Sequence, residues 1–319
     1  MANYEMIFDL GAQYISAAIK NEGFSDKIPT QVAYGDNKQI VAVGVEAVRL
    51  ANLQNIRLVR PILEGAVIDS DAVKALISSL LERLIGHKIN AFGKYVVRCI
   101  CPCGMISNDK KTVESIFLSL GVRSVSFVET PVADSFQLFE EFRVRQGIVA
   151  NLGFDCADFA VVSGNSIVSG CTVYYSGKHL TEMIAERIRQ KYLIQLPFEQ
   201  AEYLKIHCAS LYPNDTTVVS VSGQNTQHNV KETINVSSRE LYDTLVEFAK
   251  KYVTIIGSLV STSSDQIAPL LKTDGVLLCG GGAKLAGIDL FLQNELGVPV
   301  RVAEHPDDVS INGMLKCHA

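Results

Sequence analysis

Three stretches of this chain run a strand-like apolar segment straight into glycine, and two of them are near copies. Ile7-Phe8-Asp9-Leu10-Gly11 and Val149-Ala150-Asn151-Leu152-Gly153 each read as the end of a strand. A second strand follows each, near Ile15–Lys20 and at Asp158–Ser163, so each pair reads as a hairpin. The third stretch, Val276-Leu277-Leu278-Cys279, enters Gly280-Gly281-Gly282-Ala283 before a helix. An acid or amide, a leucine and a glycine at the turn of a hairpin that opens each half point to an internal duplication. Glycine lacks Cβ, so turns of this kind let backbone N–H groups approach phosphate oxygens. A carboxylate at a strand end, here Asp9, can hold Mg²⁺ through water.

The segments between the turns alternate strand and helix, which makes the class α/β. Asp71–Leu84 repeats apolar residues at helical spacing, at Val73, Leu76, Ile77, Leu80, Leu81 and Leu84, with Asp69 or Ser70 as the cap. A helix is predicted near Asp109–Leu120, a strand at Val125–Val128, and a further helix after Glu129-Thr130-Pro131. The segment Val144–Gly147 reads as a boundary between halves. Pro213–Ser238, polar with alternating Val218, Val219 and Val221, reads as a small exposed sheet.

Composition narrows the function classes. Of 319 residues, 48% are apolar and 20% charged, which excludes a disordered, collagen-like or coiled-coil chain. A net charge of −5 argues against a broad basic face for nucleic acid. No apolar run reaches the ~18 residues of a membrane span. The opening residues lack a basic n-region, so no signal peptide is expected and the eight cysteines are expected as reduced thiols in a cytoplasmic chain. Cys99, Cys101 and Cys103 share one face of a predicted strand, Tyr95–Cys103. One zinc ion cannot collect ligands spread over ~13 Å of strand, so they read as small buried side chains. The six histidines show no ligand spacing.

Taken in order, these motifs resemble the MreB-type bacterial actins, within the actin, Hsp70 and hexokinase superfamily, over essentially the whole chain. Ile7–Gly11 is similar to the family's first phosphate motif, and Arg60-Pro61 through Gly65-Val67-Ile68-Asp69 to its Arg-Pro…Gly-Val-Ile-Ala-Asp segment. Val128–Ala133 resembles Glu-Glu-Pro-Met-Ala-Ala, and Asn151–Asp158 resembles Asp-Ile-Gly-Gly-Gly-Thr-Thr-Glu. Ala201–Ile206 with Tyr212-Pro213 resembles the adenosine-contacting helix and its end. Leu278–Ala283 resembles the adenosine loop, with Gly297-Val-Pro-Val300 after it.

The resemblance implies an actin-like (ribonuclease H-like) duplicated fold, two domains each with a large and a small subdomain around a central cleft. The expected subdomains are 1–28 with 70–146 and 305–319 (IA), 29–69 (IB), 147–182 with 237–304 (IIA) and 183–236 (IIB). It implies ATP with Mg²⁺ as ligand. The expected nucleotide-binding positions are Asp9, Gly11, Ala12, Gln13, Tyr14, Asn151, Gly153, Phe154, Asp155, Gly177, Glu202, Tyr203, Leu204, Lys205, Gly280, Gly281, Gly282 and Ala283. Glu202 and Lys205, three apart on a helix, share a face and could reach ribose and adenine.

The departures from the family pattern are concentrated at the phosphate end. Gly11-Ala-Gln-Tyr-Ile15 lacks the two hydroxyls of Gly-Thr-Ala-Asn-Thr, and Gly177 stands for one glycine of a Gly-Gly-Asp turn. Asn151 replaces an acid, Phe154 and Asp155 replace glycines, and Cys156 replaces a threonine. Phe154 is bulky and Asp155 negative where phosphates would lie. Thr130 takes the place of the glutamate that positions the attacking water, and Glu129 is expected to point the other way. ATP hydrolysis is therefore expected to be weak or absent; the alternative readings are an active ATPase actin and a non-polymerising actin-fold binding module. The resemblance further implies filaments of the chain with itself at the inner face of the cytoplasmic membrane, for cell-shape determination, with membrane cell-shape or wall-synthesis proteins as partners. Membrane contact is expected from the loop His87–Lys94, with Ile89 and Phe92 between Lys88 and Lys94.

Overall fold

The computed structural model describes residues 4–20, 22, 24–51, 53–85, 95–164, 166–263 and 268–317. Two five-stranded sheets carry the fold, and they are built the same way. In the first, Tyr4–Leu10, Tyr14–Ile19 and Phe24–Pro29 form an antiparallel meander; Tyr95–Cys101 and then Ser124–Glu129 add in parallel beyond Tyr4–Leu10. In the second, Gln146–Leu152, Ala157–Ser163 and Ser166–Val173 form the meander; Val276–Cys279 and Val300–Val302 add in parallel. The duplication expected from the hairpins thus extends to whole sheets.

Register places the same positions together in each half. Asp9 pairs with Ser16 across its hairpin and with Ile100 on its other side. Asn151 pairs with Asp158 and with Cys279. Both hairpin turns are equally tight. A Cβ on Gly11 would stand 2.7 Å from the Tyr14 carbonyl oxygen, and one on Gly153 would stand 2.5 Å from that of Cys156.

The helix Ser70–Ile85 covers the first sheet, and its N-terminus is capped by Asp69, whose Oδ1 accepts from the Ala72 N–H at 3.0 Å. Val73, Leu76, Ile77 and Leu80 are fully buried on its inner face, as the spacing predicts, each contributing about 1.5–3 kcal/mol. The second sheet is covered by Gly177–Tyr192 and by the 25-residue helix Ser238–Thr262, which opens with a capping box between Ser237 and Glu240. Two helices, Thr130–Phe142 and Val309–Lys316, form a floor shared by both sheets. Ala133, Ile311 and Met314 pack under the first sheet, and Leu138 and Val309 under the second.

Smaller units stand above each sheet. Over the first are the sheet of Val32–Tyr34, Ile40–Val43 and Arg57–Val59 and the hairpin Ile62–Leu63/Ala66–Val67. Over the second is a sheet of Ile194–Gln195, Val218–Asn225 and Lys231–Ser237, with the helix Phe198–Cys208 beside it. The exposed sheet expected in Pro213–Ser238 is therefore present.

The cysteine strand is shorter than its pattern predicts. It stops at Cys101, where Pro102 removes a ladder donor, and Cys103 lies beyond it. Cys99 and Cys101 are buried, and burial pushes the Cys101 thiol up to about 12. Among the described residues no three His, Cys, Asp or Glu side chains are grouped to hold a metal. No described helix is long and apolar enough to cross a membrane.

Candidate functional site

The two hairpin ends, Asp9 and Asn151, meet above the shared floor, and a network of buried polar groups lies beneath them. Asn151 Nδ2 donates to Asp134 Oδ2 at 2.9 Å and to Ser310 Oγ at 3.3 Å. Ser310 Oγ donates to Asp134 Oδ1 at 2.5 Å, and Cys279 Sγ lies 3.2 Å from Asp134 Oδ2. Asp134 is fully buried; burial raises its pKa to about 6, against the pull of its bonds to Ser310, Asn151 and Cys279. Across the hairpin, Asp158 is also buried and raised to about 6, although the Thr172 hydroxyl and the Cys103 N–H (2.8 Å) both bond to it. Asp9 is only half-buried. Its carboxyl is pushed up to about 7 by desolvation, then by the charges of Asp134 and Asp158. Three carboxylates therefore gather at the base of the cleft, of which the sequence pattern singles out only Asp9.

The glycine loop presses against this base. Gly280 has φ +78°, and a Cβ there would stand 2.5 Å from Asn151 Oδ1 and 2.7 Å from the Leu152 carbonyl oxygen. A Cβ on Gly282 would meet the Leu152 Cβ at 2.8 Å. Only glycine lets the loop lie so close to the strand end. Gly281 is exposed at the loop tip, while Ala283 is buried beneath it.

In both hairpin turns the backbone carbonyls are bonded within the protein. In the first, the buried Thr30 donates from Oγ1 to the Gly11 carbonyl at 2.7 Å and from its N–H to the Gln13 carbonyl at 2.9 Å. Ala12 is buried, and Tyr14 is exposed with Lys27 Nζ 5.8 Å from its ring centre. In the second, the Gly153 and Phe154 carbonyls accept from the N–H groups of Gly177 and Lys178, at 3.1 and 2.7 Å, at the start of the helix Gly177–Tyr192. Asp155 is buried, with its carboxylate against the Lys178 ammonium (3.4 Å) and the Glu64 N–H. Phe154 lies edge-on to Phe198 at 6.1 Å, with the Arg60 guanidinium 4.9 Å from its ring centre. A cavity of about 300 Å³ opens beside them, lined by Ala12, Gln31, Arg60, Phe154, Asp155 and Lys178 among others.

Glu202 and Lys205 share a face of the helix Phe198–Cys208, as their spacing predicts. Lys205 Nζ lies 2.8 Å from Glu202 Oε2 and donates to the Gly177 carbonyl at 2.9 Å; Glu202 also accepts from the Thr181 hydroxyl. Burial lowers the Lys205 pKa, against the opposing charge of Glu202. The neighbouring pair does not join them: Tyr203 is exposed with its ring tilted against that of His207 at 4.3 Å, and the Leu204 side chain is buried in the core. Thr130 spends its hydroxyl on the Cys101 carbonyl at 3.0 Å, and Glu129 accepts from the Gly104 N–H at 2.9 Å. Ile89 and Phe92 lie outside the described residues.

A profile of the MreB/Mbl protein family matches residues 3–319. The chain belongs to the MreB/Mbl family. Among its relatives, the cell shape-determining protein Mbl of Bacillus subtilis (strain 168) is 28% identical over 305 residues, covering 94% of this chain and 91% of that protein. The cell shape-determining protein MreB of Escherichia coli (strain K12) is 27% identical over 319 residues, covering 96% and 90%. Among solved structures, MreB 5 of Spiroplasma citri bound to AMPPNP superposes with a TM-score of 0.92 at 21% identity, covering 98% of this chain and 95% of that one. The MamK double helical filament superposes with a TM-score of 0.81 at 14% identity, covering 98% of both chains. At these identities the superpositions establish the fold, an actin-like α/β fold of two domains. Asp134 and Asp158 are buried carboxylates at the base of the cleft that the sequence reading did not single out. Asp134 had one signal, an acid among the apolar residues at the start of a helix (Pro131-Val-Ala-Asp134). Asp158 had another, its place opposite Asn151 in the hairpin.

Proposed function

We propose that this MreB/Mbl family member self-associates into filaments of a cell-shape scaffold at the inner face of the cytoplasmic membrane, and that its cleft holds an adenine nucleotide. The observation that carries the reading is the convergence of both hairpin ends and the Gly280–Gly282 loop on one base. The backbone is packed so closely there that a single Cβ would collide. The solved relative from Spiroplasma citri holds AMPPNP in one structure and ADP in another.

The residues fit the two ends of such a ligand unequally. At the adenosine end, Gly281 is exposed at the loop tip, and the half-buried Glu202–Lys205 pair offers a carboxylate for ribose hydroxyls. Asp9, half-buried and facing the like charges of Asp134 and Asp158, fits a Mg²⁺ ion held through water. Bound Mg²⁺ would supply positive charge to the phosphates. At the phosphate end, Phe154 and Asp155 stand where the family pattern has glycines, one bulky and one negatively charged, so this end is partly degenerate. Thr130 and Asn151 are both held by protein partners and supply no carboxylate to orient a water, so hydrolysis is weak or absent.

Head-to-tail contacts between identical chains produce filaments when their rotation does not close a ring. The loop His87–Lys94 is assigned to the membrane on its sequence, two apolar residues between two lysines. Membrane cell-shape or wall-synthesis proteins are the partners this placement calls for. Sedimentation followed by electron microscopy tests the reading. Pelleted filaments are expected with ATP and Mg²⁺ at high protein concentration. A chain that stays monomeric at every concentration, with and without nucleotide, would overturn it.

A further inference from the structure

The mouth of the cleft is bridged by the chain's own side chains, and three independent contacts make the bridge. Arg60, on the first domain, lies with its guanidinium carbon 4.9 Å from the Phe154 ring centre and 5.6 Å from that of Phe198, both on the second domain. Its Nε is buried and has no hydrogen-bond partner. The guanidinium is held there by the two ring faces, a role suited to a weakly hydrated planar cation. Phe154 belongs to a turn of the second domain, yet it packs against the hydrophobic core of the first. The third contact is Asp155, which accepts the Glu64 N–H across the cleft while its other oxygen faces Lys178 on its own side.

The hairpin that makes the last contact is itself set for it. Glu64 and Gly65 are both left-handed, with φ of 52° and 74°, which is the tight two-residue turn that matches strand twist. Glycine adopts that conformation freely, whereas glutamate does so at a cost. The bond from its N–H to a buried carboxylate holds Glu64 there.

We propose that Arg60 and Glu64 on one side, with Phe154, Asp155 and Phe198 on the other, form a built-in strap that keeps the two domains closed across the cleft mouth when no ligand bridges them. The floor helices Thr130–Phe142 and Val309–Lys316 hold the opposite end of the cleft, so the mouth is where hinge opening would show. The strap rests on the two-domain cleft described above, and it does not require that cleft to bind nucleotide.

Hydrogen exchange followed by mass spectrometry on the nucleotide-free, full-length chain tests it. In Arg60→Ala, exchange is expected to rise at least tenfold in two separate peptides, 57–67 on the first domain and 153–158 on the second. Peptides from Ser70–Ile85 should keep their protection. Phe154→Leu should raise the same two peptides together. Unchanged exchange in both variants would overturn the strap. So would a rise confined to 57–67 in Arg60→Ala and to 153–158 in Phe154→Leu, which marks two local contacts. If Arg60→Ala does not fold, Asp155→Asn keeps the side-chain volume, removes the charge and is read on the same peptides. Because no nucleotide is present, failure here leaves the binding proposal to its own titration.

Discussion

Asp9 offers a stability measurement whose sign and size follow from the base of the cleft. Its pKa is raised from 3.8 to about 7 by desolvation, with Asp134 and Asp158 adding to the rise. A carboxyl whose folded pKa lies above its unfolded value binds a proton more tightly in the folded chain. The stability it contributes is complete below pH ~4 and is lost as pH rises toward 7. Each tenfold gain in proton affinity is worth about 1.4 kcal/mol, so the charged form costs at most about 4 kcal/mol at pH 8. Proton sharing with Asp134 and Asp158 brings the expected effect nearer to about 2 kcal/mol. Asp9→Asn removes the charge and nearly keeps the shape. In urea unfolding without nucleotide or divalent ions, Asp9→Asn should be more stable than the parent by about 2–4 kcal/mol at pH 8. The two should converge as pH falls below about 4. A variant less stable than the parent at pH 8, or a gap that does not narrow with falling pH, would refute the reasoning.

Other expectations follow from single contacts. A Cβ on Gly313 would stand 1.9 Å from the Ala133 carbonyl oxygen, so Gly313→Ala should push the floor helices apart. It should cost about 3 kcal/mol or more, read as a lowered urea midpoint. Lys205→Met removes the cation that bonds to Glu202 and the Gly177 carbonyl, so it should weaken ATP binding about tenfold while leaving the fold intact, as calorimetry and circular dichroism would show. The double change Thr130→Glu with Asn151→Asp places carboxylates where the family pattern has them. Phosphate release from ATP should rise at least tenfold over the parent, on the order of the gain from a positioned base.

The elements that the sequence displays are those whose signal is local. The paired hairpins are visible because a leucine and a glycine recur at the same place after a strand, and tight turns demand that glycine. The helix Ser70–Ile85 is visible because seven of its residues are buried at helical spacing. Asp134 is different. Its partner Ser310 is 176 positions away, and nothing at either place announces the bond. Arg60, Phe154 and Phe198 come from three separate segments, and only the closed cleft stacks them. Asp155 reads as a charge set against phosphates; its contacts with Lys178 and the distant Glu64 backbone have no signal in the sequence. Tyr203 and Leu204 fall inside a matching motif, but helical rotation sends one to solvent and the other to the core.

Isothermal titration of the purified chain with ATP and Mg²⁺ at pH 7 tests the central claim most directly, because it asks whether this cleft still accepts a nucleotide. The account predicts saturable binding in the micromolar range, with a heat that changes between buffers of different ionisation enthalpy as Asp9 gives up its proton to the incoming cation. No heat and no thermal stabilisation at millimolar ATP would contradict it.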